Sequence, residues 1–148
     1  MPGIGFSQKE ILRGGFRFLD DPEKERSVRL DVEFVITDWK AWLSSGQAPV
    51  TGTMSCEGFP AEAPVTGSLL VDPIRRQMLA YDLSFTVPER NPIRFYGEKR
   101  LDLLRPATAV TTLHARLEEE GLVIATGTLK LDLKDIWELV KSFRPVVG

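Results

Sequence analysis

The chain reads as an all-β protein, a small antiparallel barrel of about eight strands with one C-terminal helix and a lipocalin-like general architecture. Three observations carry that expectation. Two long segments alternate apolar and polar residues with the period of a half-buried strand, Val28 to Ile36 and Leu79 to Val87. Turn signals recur at short spacing with no helix–strand alternation between them. Finally, Val50-Thr51-Gly52-Thr53-Met54, Val65-Thr66-Gly67-Ser68-Leu69 and Ala125-Thr126-Gly127-Thr128-Leu129 repeat one pattern, a glycine in mid-strand flanked by hydroxyl residues. Glycine weakens a strand, so its recurrence points to a bend, a bulge or the close approach of another group, and hence to strongly curved sheet.

The elements follow in order. Arg13 to Leu19 reads as a first strand, broken or bulged at Gly14-Gly15, and Asp20 to Arg26 as a charged turn. Val28, Leu30, Val32, Phe34 and Ile36 supply one dry face of the second strand. Asp38 can N-cap a short helix, Trp39 to Leu43, ended by Ser44-Ser45-Gly46. Two strands around the first two glycine repeats are joined through Gly58-Phe59-Pro60, and Asp72-Pro73 marks the next turn. The strand Leu79 to Val87 ends at Pro88-Glu89-Arg90-Asn91-Pro92, where two prolines fix φ and remove donors. Ile93, Phe95, Gly97 and Lys99 face one way along the next strand, which ends by Pro106. Ala109 to Leu117 and Leu122 to Leu131 form a hairpin across Glu118 to Gly121. The period then changes. Ile136, Leu139, Val140 and Phe143 fall at helical spacing, with Asp132 as N-cap and Pro145 as a stop.

The whole of residues 1–148 is read as one domain, long enough to bury a core without staples. A net charge of −2 argues against a nucleic-acid partner. A single cysteine, Cys56, forms no intrachain disulfide, and no signal peptide or apolar spanning segment is present, so a cytoplasmic protein without an integral membrane segment is expected.

Candidates for chemistry are few. His114 is the only histidine and falls on the strand face opposite Leu113 and Leu117, which points it to solvent. With one His and one Cys at distant positions, no zinc set forms, and no metal or cofactor is expected. Ser7 and Lys9 share a side of an extended segment but lack an oxyanion hole. Glu33 opposes the Val32 and Phe34 face and meets solvent, and Cys56 shares the face of Met54 as a small buried hydrophobe. No catalytic residue is assigned. The aromatic set is richer: Phe34, Trp39, Trp42, Tyr81, Phe85, Phe95 and Trp137 either border one cavity, with the short tryptophan helix as a lid, or fill the core. A barrel of eight strands is near the size at which both are physically open.

The order of several segments between Phe34 and Arg144 resembles an uncharacterised bacterial β-rich domain often attached to flavin oxidoreductases of the glucose–methanol–choline, cholesterol-oxidase-like type. The segments are the three glycine repeats, the second extended through Ala63 to Asp72, together with Met78 to Leu83, Thr111 to Arg116 and the stretch closing on Ser142-Phe143-Arg144. The resemblance implies an accessory module beside enzymes of lipid or sterol oxidation, any flavin belonging to the partner, since no flavin-binding glycine fingerprint occurs here.

Three functions are therefore expected, in this order: a non-catalytic barrel binding a hydrophobic small molecule of lipid or sterol type, accessory to a flavin oxidoreductase; a protein-interaction module with a packed core and an exposed apolar patch near Trp39 and Trp42; and an isomerase or cyclase, which needs Glu98, Asp102 and His114 to line a cavity.

Overall fold

The computed structural model describes residues 6–37, 42, 45–59, 62–72, 76–100 and 110–132. They form eight antiparallel strands, β1 (Phe6–Phe18), β2 (Asp21–Ile36), β3 (Gln47–Cys56), β4 (Ala63–Asp72), β5 (Met78–Phe85), β6 (Ile93–Arg100), β7 (Val110–Glu119) and β8 (Leu122–Asp132). Each strand pairs with its neighbours in sequence, and β8 returns to β1 to close the barrel. The expected all-β fold and strand number are the observed ones.

The largest differences from the expected boundaries are in β1 and β2; β5 also ends at Phe85, two residues early, and β7 runs on to Glu119, leaving Glu120-Gly121 as the turn. β1 begins at Phe6 and runs through Gly14-Gly15 with unbroken register, shifting only between Arg17 and Phe18. The charged stretch from Asp21 to Arg26 is strand, and the turn is only Leu19-Asp20. Charge misleads there because the start of β2, Pro22 to Glu25, is exposed on both faces. The helix expected over 39–43 lies mostly outside the described residues, but Gly46 N donates to Trp42 O at 2.6 Å, a helical i→i−4 bond, and Gly46 follows with φ +73°. The C-terminal helix, Trp39, Asp102 and Trp137 lie outside the described residues.

The register fixes the barrel's shape. Inward positions pair in one line, Gln8–Phe34–Val50–Gly67–Leu83–Phe95–Leu117–Ala125, and return to β1 at Phe18. The stagger is thus ten residues in eight strands. At about 3.3 Å per residue and about 4.8 Å per strand, the strands tilt by roughly 40° to the barrel axis.

Such tilt in a narrow barrel demands sharp coiling, and the repeated glycines provide it. Gly14, Gly52, Gly67, Gly97 and Gly127 all occupy inward positions. A Cβ on Gly52 would meet the Asp31 carbonyl and lie 2.8 Å from Val32 Cα, both in the backbone of β2. The seam that closes the barrel is made the same way from both sides. A Cβ on Gly14 would strike Thr128 and Leu129, and one on Gly127 would strike Gly15 and Phe16. Of the uses expected for the glycines, the close approach is the one realised, by neighbouring backbone.

The inward side chains form one cluster. Leu12, Phe16, Leu30, Leu79, Tyr81, Phe95, Leu113, Leu117, Ala125, Leu129 and Leu131 have no solvent exposure, and the remaining core residues are at most 9% exposed. Phe16 and Phe95 meet edge to face at 6.0 Å across the middle. At the end carrying the β1–β2, β3–β4, β5–β6 and β7–β8 turns, Phe59 packs between Phe18 (5.9 Å) and Phe85 (6.1 Å) as a plug. We call this the tight-turn end and the opposite one the wide end.

Candidate functional site

The structure separates the aromatic residues that the sequence grouped. Phe34 and Trp42 join the core towards the wide end, Phe95 sits mid-barrel against Phe16, and Phe85 belongs to the plug at the tight-turn end. These described members of the set fill successive layers of the core. Trp42, at 5% exposure, is packed against the core, so the apolar patch expected around it is not exposed there. Among the described residues the exposed large apolar ones are Ile11 (46%), on the outer face of β1, and Leu19 (60%), Leu122 (71%) and Val123 (38%), which lie at the other end. Leu19 N donates to Ile124 O at 2.9 Å, which gathers the last three at one corner beside the closing seam.

Tyr81 is the aromatic that stands apart. Its hydroxyl is buried with no hydrogen-bond partner. Burial pushes the phenol well above its ordinary pKa, and the charge of Glu10 pushes it further. Glu10 is the buried charged residue of the described core, at 6% exposure, and one of its carboxylate oxygens receives no hydrogen bond. The two residues face each other across the barrel. The pairing line from Glu10 runs through Val32, Gly52 and Val65 to Phe85 on β5. Half the ten-residue stagger then returns the level to Ala80 and Tyr81. Sequence reading missed Glu10 because Ser7-Gln8-Lys9-Glu10 is uniformly polar. The signal available was its parity with Leu12, which requires β1 to extend to Phe6.

The other candidates face outwards. His114 and Glu98 are exposed and line a shallow groove with Arg76, Met78, Lys99 and Arg100. Two of the three residues needed for isomerase or cyclase chemistry inside the barrel therefore do not point into it. Glu33 accepts a bond from Ser7 Oγ at 3.1 Å on the outer face. Cys56 is buried as expected, and burial raises its thiol pKa to about 11, against a smaller opposing effect of Arg26. Among the described residues no group of three His, Cys, Asp or Glu side chains is placed to hold a metal. No described helix is long and apolar enough to cross a membrane.

The outer face of β5, β6 and β7 carries a structural lattice. Arg94 holds Asp82 through two bonds of 2.8 Å. Arg94 and Arg116 flank the ring of Tyr96 at 5.1 and 4.6 Å. Glu118 accepts from Arg116 and lies 3.6 Å from Arg94, while Tyr96 Oη donates to Glu98 at 3.1 Å. Every group in it has a partner, so it braces three strands and offers no free chemistry.

Comparison of the chain with protein-family models, with curated proteins and with solved structures finds no match.

Proposed function

We propose that this chain is a protein-interaction module with a packed core, docking through the corner formed by Leu19, Leu122 and Val123. The supporting observation is the interior itself: inward side chains from Leu12 to Leu131 are buried at every level, which leaves recognition to the surface. Single exposed apolar residues are ordinary, but three at one corner, beside a fully buried core, mark a contact surface. The resemblance described above makes a flavin oxidoreductase of the glucose–methanol–choline type the partner to test first, with the flavin on that partner. Biolayer interferometry between the two purified proteins is expected to show saturable binding that Leu122→Asp weakens at least tenfold at unchanged Tm. Absence of binding, or binding indifferent to Leu122→Asp and Leu19→Asp, counts against this docking corner.

A second reading, binding of a lipid or sterol-like molecule towards the wide end, is favoured by one observation, the partnerless Tyr81 hydroxyl. Native mass spectrometry of protein purified without detergent separates the two. A retained or taken-up lipid, lost in Tyr81→Phe, supports the second reading over the first.

A further inference from the structure

We propose that the groove at the wide-end rim of β5, β6 and β7 is an oxyanion site for a phosphate dianion. Arg76, Met78, Glu98, Lys99, Arg100 and His114 line it, around about 460 Å³. The register shows why cations gather there. Met78 stands directly opposite Arg100, with Arg76 two residues before it, and Glu98 stands opposite His114 on the other side of β6. Lys99 lies opposite the fully buried Leu79, at the inward parity of Phe95 and Gly97, and is only half-buried. The inner row of β6 thus ends on an ammonium group at the mouth of the barrel, beside two guanidinium groups on the outer face. Among the described residues Arg76, Lys99, Arg100 and His114 make no ion pair and no side-chain hydrogen bond.

Charge decides the ligand. Glu98 is the one carboxylate among the described lining residues, and it accepts from Tyr96 Oη at 3.1 Å. Asp72, opposite Met78 on β4, is outside the lining and already engaged. Three cations against one carboxylate leave two positive charges, which a dianion balances and a carboxylate ligand does not. A concave surface of one net sign also concentrates counter-ions of the other. The donors suit phosphate oxygens: two planar guanidinium forks, a three-donor ammonium group, and the ring nitrogen that donates in either tautomer of His114. A free phosphate and a lipid headgroup present this chemistry equally. The site is independent of the docking corner, which lies at the tight-turn end.

The test is titration of the full chain with inorganic phosphate, followed by nitrogen-15 NMR, at low ionic strength against sodium chloride. Saturable shifts are expected at Arg76, Lys99, Arg100 and His114, and not with chloride. Arg76→Gln and Arg100→Gln, both at exposed positions, are each expected to weaken binding about tenfold at unchanged Tm. Glu98→Gln is expected to tighten it several-fold, and Arg29→Gln, whose arginine is held by Asp31, to leave it unchanged. A sedimentation arm with phosphatidic acid vesicles, against phosphatidylcholine vesicles, identifies the source. Capture by the former that needs Arg100 and ignores Tyr81→Phe assigns a lipid headgroup, and phosphate binding without capture assigns the free ion. Shifts that rise linearly and spread over cations elsewhere, or binding indifferent to Arg76→Gln and Arg100→Gln in both arms, overturn the proposal.

Discussion

At Gly52 the missing side chain is a steric requirement set by the neighbouring strand, because the space its Cβ would need holds the backbone of Asp31 and Val32. Backbone does not step aside as a flexible side chain does. Gly52→Val is therefore expected to destabilise the fold by about 3 kcal/mol or more, read as a fall in the urea midpoint. Gly121 is the control. Unlike Gly52 it has positive φ, +79°, and nothing lies within 4 Å of its Cβ position, so Gly121→Ala is expected to cost about 1 kcal/mol through φ alone. Tyr81 gives the opposite sign. Its ring fills the core, whereas its hydroxyl is desolvated without a compensating bond. Tyr81→Phe keeps the ring and removes that penalty, and is expected to raise stability by about 1 kcal/mol. A loss of that size instead would show that the hydroxyl bonds a buried water or ligand.

Among the elements, the lattice over β5, β6 and β7 depends on pH in a definite direction. The hydrogen bond from Arg94 holds the Asp82 carboxyl below its ordinary range, with Coulombic help from Arg94 and Arg116 against a smaller desolvation effect. The folded pKa is thus below the unfolded one, so between the two the unfolded chain binds the extra proton and stability rises with pH. The contribution is complete above the unfolded value of about 4 and is lost as pH falls through the folded value. Urea midpoints measured from pH 7 down to pH 2 are expected to fall less steeply for Asp82→Asn than for the parent chain. Both side chains are 44% exposed, so solvent and salt keep the effect modest. How much of such an element was legible beforehand depends on what sets it. Alternation within Val28–Ile36 and Leu79–Phe85 displays the dry face directly, and the glycine repeats announce curvature. Cross-strand neighbours are set by register, which no single segment records. Hence Asp82 beside Arg94, Glu98 opposite His114, and Glu10 level with Tyr81 emerge only once the strands are paired. The aromatic set shows the converse limit: its described members are core residues, as composition suggests, but their heights along the axis depend on the ten-residue stagger.

For the whole molecule, the order of assembly follows from its topology. Seven of the eight strand pairs join sequence neighbours, most of them across short turns, and only β1 with β8 brings together residues more than a hundred positions apart, Arg13–Phe18 with Ala125–Lys130. Closing that loop costs chain entropy before any contact repays it. The hairpins can form first, and folding is expected on the millisecond-to-second scale typical of all-β topologies. With one continuous core cluster and every described strand within the closed sheet, equilibrium unfolding is expected to be a single transition that far- and near-ultraviolet dichroism trace alike. Leu129→Ala, on the seam, and Leu30→Ala, between β1 and β3, are both fully buried truncations, each expected to cost about 2–4 kcal/mol. Their kinetics should differ. If the seam closes after the transition state, Leu129→Ala accelerates unfolding and leaves the folding arm of the chevron nearly unchanged, whereas Leu30→Ala slows folding. A Leu129→Ala chevron displaced mainly in its folding arm would place closure of the barrel within the nucleus and reverse this order.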